Sequence, residues 1–166
     1  MVRSLTSSDK FVRSLLDARD GRQDALSAIL REGHPSTVFL SLNIPGPEKT
    51  PPGSEALFLW MLGEFSRRFT AQTLRRQTID ALGPYAIMAL GVDPVEAKTG
   101  CVELETGHPS ARLIDLDVYS AEGVQIDRGS LGLPGRACLV CSRAAVECIR
   151  AKRHSINEVI GNVDAL

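Results

Sequence analysis

Residues 112–118, Arg-Leu-Ile-Asp-Leu-Asp-Val, constrain the fold of this chain most strongly. Apolar and acidic residues alternate here, and successive side chains of a β-strand point to opposite faces. The pattern predicts a strand that buries its apolar side chains and presents Asp115 and Asp117 together on the other face. An ordinary half-buried strand with a solvated face has the same alternation, so the spacing alone leaves both interpretations open.

Two carboxylates on one face repel each other unless a cation joins them. Mg²⁺ takes oxygen ligands and leaves room for the phosphates of a substrate. The pair therefore predicts a magnesium site, with catalytic roles for Asp115 and Asp117.

Composition indicates one compact domain over residues 1–166, because 43% of the residues are hydrophobic and only 23% are charged. The 19 Lys and Arg nearly balance the 20 Asp and Glu, so no overall field attracts a nucleic acid. Met1 precedes a polar, charged segment, and no apolar stretch reaches the roughly 18 residues of a membrane span. We expect a cytoplasmic protein with no nucleic-acid or membrane partner.

Two arginines interrupt an apolar helical stripe over residues 11–30. Arg19 and Arg22 follow Leu15 by four and seven residues, on the side expected to face protein. An inward arginine requires a carboxylate, a carbonyl or a phosphate, so an internal ion pair and an anion site both stay open.

Lys49 lies in a Pro- and Gly-rich turn at residues 43–50, after a strand predicted at residues 37–42. Stiff loops at strand ends often carry function, and a lysine there suits a polyphosphate. A solvated lysine in a tight turn is the alternative.

Other patterns predict the remaining elements. They are a buried helix at 55–68, a helical segment at 85–90, a short helix capped by Asp93-Pro94 with Lys98 near its end, a strand at 101–105 that pairs with the Asp115 strand as a hairpin, and a strand at 124–128.

Four residues of the C-terminal third have the spacing of a metal site. Cys138, Cys141, Cys148 and His154 supply three thiols and an imidazole, which can close a tetrahedral structural Zn²⁺ site in a helical subregion at residues 136–162. Buried free thiols or a redox-active Cys-x2-Cys pair are alternatives. A capping box directly after His154 begins a last helix, which gives the histidine a structural explanation too.

The order and spacing of these motifs resemble the holo-citrate lyase synthase family, also called apo-citrate lyase phosphoribosyl-dephospho-CoA transferases. The resemblance runs nearly end to end. Its motifs are Ala18-Arg19-Asp20-x-Arg22-Gln23, Asn43-Ile-Pro-Gly-Pro-x-Lys49, Gly83-Pro84, Lys98, His108-Pro109, Arg112-Leu-x-Asp115-Leu-Asp117-Val118, Leu131-Gly-Leu-Pro134, Arg136-x-Cys138-Leu-x-Cys141, Cys148 and Arg153-His154-Ser155.

The resemblance implies transfer of the 2′-(5″-phosphoribosyl)-3′-dephospho-CoA group from triphosphoribosyl-dephospho-CoA to a serine of the citrate lyase acyl carrier protein (gamma subunit), releasing diphosphate. It implies an α+β fold with a small mixed β-sheet and flanking helices, similar to nucleotidyltransferases with a metal-binding Asp-x-Asp strand. The substrate-binding residues then expected are Arg19, Arg22, Lys49 and Arg112 on the triphosphate, followed by Lys98, Arg136 and His108.

Some features stay open beside the resemblance. Ala111 stands where the family pattern leads us to expect glycine, so its methyl group is expected to narrow the site. Asp127 and Glu103 are candidates for a third metal-binding carboxylate by strand parity. The same transfer to the carrier of a related lyase or of malonate decarboxylase, and a non-catalytic carrier-binding module, are the alternative functions.

Overall fold

The computed structural model describes residues 6–163; the segment after Met1 and the last three residues of the predicted domain lie outside this range. No helix within that range is long and apolar enough to cross a membrane. In chain order the elements are α1 (Ser7–Leu30), β1 (Ser36–Leu42), α2 (Ser54–Arg68), β2 (Thr73–Asp80), β3 (Gly83–Leu90), α3 (Pro94–Thr106), β4 (Ile114–Ser120), β5 (Gln125–Ile126), α4 (Ala145–Arg150) and α5 (Ile156–Val163), with 3-10 helices at Pro109–Leu113 and Gly129–Leu131.

The strands form a five-stranded sheet in the order β2-β3-β1-β4-β5. The α+β class is confirmed, but the sheet is antiparallel in every pairing rather than mixed. Strands that run in the same direction are never neighbours, because β1 separates β3 from β4 and β3 separates β1 from β2. The helical connections α2 and α3 therefore produce no parallel pair.

Both faces of the sheet carry helices. The larger core, with α2 and α3, includes Phe58, Phe65 and Met61 and the apolar residues of β4. The smaller core joins the C-terminal half of α1 to Phe39 and Ile87. As predicted, Ile114, Leu116 and Val118 are fully buried.

The predictions of a helix at 11–30, a strand at 37–42 and a helix at 55–68 are confirmed. Residues 85–90 were expected to be helical but belong to β3, whose residues are all buried. A strand covered on both faces lacks the alternation by which a strand is recognised.

Residues 101–105 are not a strand and form no hairpin with β4, because α3 continues through them. Asp93 caps α3 as predicted by accepting from the N–H groups of Val95 and Glu96. Cys101 and Glu105, four residues apart, share its buried face. Lys98 consequently lies within the first half of α3 and not near its end.

Two strands differ from expectation in extent. The exposed edge strand β2 was not predicted, because polar residues on both of its faces leave no clear apolar–polar alternation. The strand predicted at 124–128 is reduced to the two residues of β5. Because β5 is so short, the backbone groups along the rest of the outer edge of β4 have no strand partner among the described residues and bond to side chains instead.

Candidate functional site

Asp115 and Asp117 share the α1 face of β4, as the strand period predicts. Asp117 pairs in register with Phe39 of β1, and Asp115 pairs with Ser41. Directly paired residues present their side chains on the same face. The two carboxylates line a cavity of about 280 Å³, called the carboxylate cavity, whose other walls are Lys98, Gln125, Asp127, Arg128, Gly129, Gly135 and Arg136.

Burial raises the pKa of Asp117 above its ordinary value, and the negative charge of Asp115 raises it further. Lys98 acts in the opposite direction. The Nε2 of Gln125 donates to Oδ1 of Asp117 at 2.9 Å. Because ionisation of Asp117 is opposed by its surroundings, a cation in this cavity would be favoured electrostatically.

Arg136 connects Asp115 to the edge of the sheet. Its Nη2 donates to Oδ1 of Asp115 at 2.7 Å and to Oε1 of Glu105 at 2.6 Å, while its Nη1 donates to the carbonyl of Ile114 at 2.8 Å. The structure therefore brings Arg136 to the carboxylate pair, in the wall of the cavity.

Glu105 is the buried centre of this charge network, with a side chain only 1% exposed. It accepts from Arg128 at 2.8 Å and from the N–H of Leu116 at 2.9 Å, in addition to Arg136. Lys98 donates from Nζ to the carbonyl of Leu116 at 2.7 Å. Side chains of α3 thus satisfy the outer edge of β4, where a sheet edge would otherwise be unpaired.

Sequence reasoning did not identify Glu105 or Arg128 as part of the site. For Glu105 a signal was present, because Lys98, Cys101 and Glu105 have the 0, 3, 7 spacing of one helix face. For Arg128 no local pattern was available.

Of the two candidates for a third metal-binding carboxylate, only one lies in the carboxylate cavity. Asp127 lines the carboxylate cavity, where its Oδ1 accepts from the N–H and Oγ of Ser130 at 2.8 and 2.9 Å. Glu103 lies on the exposed side of α3 and pairs with Arg68 at 3.1 Å. The strand parity that suggested Glu103 was wrong, because the residue is helical.

Arg22 forms an internal ion pair, one of the two possibilities that the sequence left open. Its Nε and Nη2 donate to the two carboxylate oxygens of Asp80 at 2.8 and 2.7 Å, and Nη2 also donates to the carbonyl of Gly83. The guanidinium lies 4.7 Å from the ring centroid of Tyr85. The structure does not bring Arg22 into the carboxylate cavity.

Arg19 and Lys49 are neighbouring cations outside that cavity. Lys49 donates from Nζ to the carbonyl of Ile44 at 2.9 Å, while Arg19 is exposed and has no hydrogen-bond or ion-pair partner within residues 6–163. Burial lowers the pKa of Lys49, and the charge of Arg19 lowers it further. Two cations that repel each other in this way are suited to an anion.

A second cavity of about 950 Å³, called the large cavity, adjoins the first and shares Arg128 and Arg136 with it. Arg112 lines the large cavity and donates to the carbonyl of Cys138. His108 lines it as well, with Nδ1 accepting from the N–H of Ser110 at 3.2 Å. The structure therefore separates both residues from the carboxylate pair.

Ala111, expected to narrow the site, lines neither cavity. It lies within the 3-10 helix at Pro109–Leu113 and is fully buried in the larger core. Its methyl group therefore packs against apolar neighbours and does not approach the carboxylates.

The four predicted zinc ligands converge. One ligand atom from each of Cys138, Cys141, Cys148 and His154 lies within 4.8 Å of the others. The Sγ atoms of Cys141 and Cys148 are 3.5 Å apart, and Nε2 of His154 is 3.4 Å from Sγ of Cys141. Zinc bond lengths of about 2.3 Å to sulfur and 2.0 Å to nitrogen give tetrahedral edges of about 3.5 to 3.8 Å, so this Cys3His group is compatible with a metal ion.

The capping box after His154 is also confirmed. The N–H of Ser155 donates to Glu158 at 2.7 Å, and the N–H of Glu158 donates to Oγ of Ser155 at 3.2 Å. His154 therefore precedes α5 and still reaches the cysteines, so the two interpretations of this residue are compatible.

The chain matches the family model of apo-citrate lyase phosphoribosyl-dephospho-CoA transferase over residues 11–166. Relatives with that name from Shigella flexneri serotype 5b (strain 8401) and Escherichia coli O1:K1 / APEC are each 30% identical to it over 159 residues, which cover 93% of this chain and 87% of the relative. The chain belongs to this family, and the resemblance inferred from the motifs is confirmed.

Proposed function

We propose that this chain transfers the 2′-(5″-phosphoribosyl)-3′-dephospho-CoA group from triphosphoribosyl-dephospho-CoA to a serine of the citrate lyase acyl carrier protein, with release of diphosphate. The observation that carries the proposal is the Asp115 and Asp117 pair in a cavity with cationic walls, in a chain of a family named for this group and for apo-citrate lyase. The reaction makes the chain a nucleotidyltransferase acting as one domain over residues 1–166. Its cytoplasmic location stays a prediction.

The carboxylate cavity fits a magnesium ion by the chemistry of its donors. Asp115, Asp117 and Asp127 supply oxygen atoms, the ligands that Mg²⁺ prefers, and no thiol or imidazole is among the described lining residues. Held by Asp115 and Asp117, Mg²⁺ would supply charge stabilisation to the triphosphate and its departing diphosphate.

In the proposed reaction the serine oxygen bonds to the α-phosphorus as the bond from that phosphorus to the β-phosphate oxygen breaks. The serine proton passes to water, and diphosphate leaves. The residues around the cavity contribute mainly position and charge, which is where catalysis of phosphoryl transfer largely originates.

Arg128 and Arg136 are held by buried Glu105 before any substrate arrives. Arg128 donates to Glu105 through Nη2, which restricts its side chain before a phosphate binds and so lowers the entropic cost of that binding. Lys98, held by the Leu116 carbonyl, adds a buried positive charge beside Asp117. We propose that these three cations stabilise negative charge on the reacting phosphates.

Arg19 and Lys49 are our proposed ligands for the terminal phosphates. Arg19 lies three residues before Arg22 on α1 and is close enough to Lys49 for its charge to lower the pKa of that lysine. The guanidinium of Arg22 is stacked on Tyr85, and the sheet register connects Tyr85 through Ser41 to Asp115. Two strand spacings of about 4.8 Å separate Tyr85 from Asp115, a span of about 10 Å along one face. Direct substrate binding by Arg22, Arg112 and His108 stays a prediction.

We propose a structural Zn²⁺ ion for the Cys3His group. The described distances match tetrahedral edges, and three thiolates with an imidazole are a common structural zinc set. Cys138 and Cys141 lie in the turn before α4, Cys148 lies on α4, and His154 precedes α5. A bound ion would thus hold the separate pieces of residues 136–162 together.

The test of the proposed function is a reaction with purified citrate lyase acyl carrier protein, triphosphoribosyl-dephospho-CoA and Mg²⁺. The proposal predicts a carrier heavier by one phosphoribosyl-dephospho-CoA group, attached at a serine by tandem mass spectrometry, and one diphosphate released per carrier. Carriers of a related lyase and of malonate decarboxylase form parallel arms. Faster modification of one of these carriers would contradict the proposed acceptor, and no modification of any carrier would contradict the transferase itself.

A further inference from the structure

We propose that the large cavity binds the dephospho-CoA part of the donor, meaning its adenosine diphosphate and pantetheine. This inference rests on the proposed function, because it divides one substrate between two adjoining cavities. The carboxylate cavity would hold the phosphates that react, and the large cavity would hold the arm that is carried over unchanged.

The two cavities differ in size in the way such a donor requires. The carboxylate cavity, at about 280 Å³, lies below the range of about 300–1,000 Å³ of typical small-molecule sites. The large cavity, at about 950 Å³, lies at the top of that range. Shared walls at Arg128 and Arg136 let one molecule extend from one cavity into the other.

The chemistry of the large cavity also suits this arm. Adenine and the pantetheine chain expose mostly uncharged surface, which binds best against apolar walls. Such walls are supplied by Pro45, Pro109, Leu139, Ile149, Ile156 and Val159. Among the described lining residues the only carboxylate is Glu105, which is neutralised by Arg128 and Arg136.

Arg112 and Lys152 supply positive charge for the diphosphate that joins adenosine to pantetheine. Lys152 has φ 46°, a left-handed conformation, at the position just after α4 where glycine is usual. The turn there closes through donation by the N–H of Arg153 to the carbonyl of Cys148 at 3.0 Å. A lysine that tolerates this backbone while lining a cavity is consistent with a role for its side chain.

Calorimetric titration of 3′-dephospho-CoA into the full chain, without Mg²⁺, tests the proposal. Ile149→Glu places a carboxylate at an exposed position of the cavity wall, and Val146→Glu makes the same change on α4 outside the cavity. We expect Ile149→Glu to weaken binding by on the order of tenfold, because the carboxylate would replace apolar wall surface and repel the phosphates of the ligand. Val146→Glu should bind as the unchanged chain does, and both should match it in zinc content and thermal midpoint.

A second pair of variants tests the charge. Lys152→Gly suits the left-handed backbone and removes the side chain, and we expect severalfold weaker binding. Arg150→Ala removes the same charge from α4 outside the cavity and should have little effect. Asp117→Asn should leave binding unchanged, because dephospho-CoA lacks the triphosphate.

Absence of binding at millimolar dephospho-CoA, or equal losses in the paired variants, would overturn the proposal. If the chain still modifies the carrier in that case, the proposed function stands and only the cavity assignment fails. If binding follows the expected pattern but no carrier is modified, the proposed function fails and the large cavity remains a nucleotide site.

Discussion

The two candidate sites of this molecule are held together differently. Asp115 and Asp117 project from β4, whose apolar residues are fully buried and whose neighbours are β1 and β5. The Cys3His group lies in residues 136–163, where Cys138 and Cys148 are the only buried residues. The position of Asp115 and Asp117 is therefore fixed by the packed sheet. In the C-terminal region, the buried residues are themselves two of the four candidate ligands.

The difference indicates which perturbation each region should tolerate. A sheet with cores on both faces can lose a surface carboxylate and stay folded. A segment of short helices with little apolar burial would depend for its stability on a bound metal ion, as small metal-binding modules generally do. We therefore expect changes at β4 to affect transfer and changes at the cysteines to affect local structure.

Removal of magnesium should have the largest effect. Omitting Mg²⁺ is expected to slow carrier modification by about a thousandfold, because several kcal/mol of charge stabilisation would be lost. Adding it back should restore the rate, while the thermal midpoint of the protein stays the same throughout. Undiminished transfer in magnesium-free buffer would remove the metal role from the carboxylate cavity.

Cys141→Ser is expected to abolish zinc binding and unfold the C-terminal region locally. Amide hydrogen exchange should lose protection over residues 136–163 and keep it in β1 and β3. Cys101→Ala is the matched control, since Cys101 is a buried thiol of the larger core and should leave the zinc content unchanged. A wild-type chain without zinc, and protection unaltered by Cys141→Ser, would be the opposite result.

Glu105→Gln tests the charge network that connects β4 to Arg136. The amide removes a charge shared by Arg128 and Arg136, and such a loss costs about 3 kcal/mol of folding free energy. Glu103→Gln on the exposed side of α3 should change stability by less than about 0.5 kcal/mol. Denaturant unfolding of the pair measures both, and equal values would mean that the network is not stabilising.

Arg19→Ala and Arg22→Ala give the smallest expected effects. They distinguish an arginine proposed to bind phosphate from one that forms an internal ion pair. Arg22→Ala should lower stability by about 1–2 kcal/mol, since it breaks a half-buried bidentate pair with Asp80. Arg19→Ala should leave stability unchanged and raise the KM for the donor severalfold. A reversed pattern would contradict the proposed phosphate role of Arg19.

Regular local periodicity explains what could be predicted from the sequence. Alternation along β4 located Asp115 and Asp117 on one face, because apolar and polar residues repeat every second position in a strand that has one polar face. The same rule failed at residues 101–105, where Cys101 and Glu105 fit both a strand and a helix over so short a segment. It failed again at β3, which is apolar on both faces.

Long-range contacts explain what could not be predicted. The ion pair of Arg22 with Asp80 joins residues 58 positions apart in sequence, and that of Arg136 with Glu105 joins residues 31 positions apart. Helical spacing identified Arg22 as a functional candidate, and the family resemblance identified Arg136, but neither gave the partner. The Cys3His group is the exception. The type and number of its ligands predicted that four residues lie together, although they follow no regular spacing in the sequence.

The most direct measurement is the intact mass of the citrate lyase acyl carrier protein after equal incubation with wild type, Asp117→Asn and Glu103→Gln. Wild type and Glu103→Gln should convert the carrier fully. Asp117→Asn should leave its mass unchanged while the enzyme unfolds at the same or a higher temperature, because the substitution removes a half-buried charge that Asp115 repels. Conversion by Asp117→Asn at the wild-type rate would contradict the assignment of transfer to the carboxylates of β4.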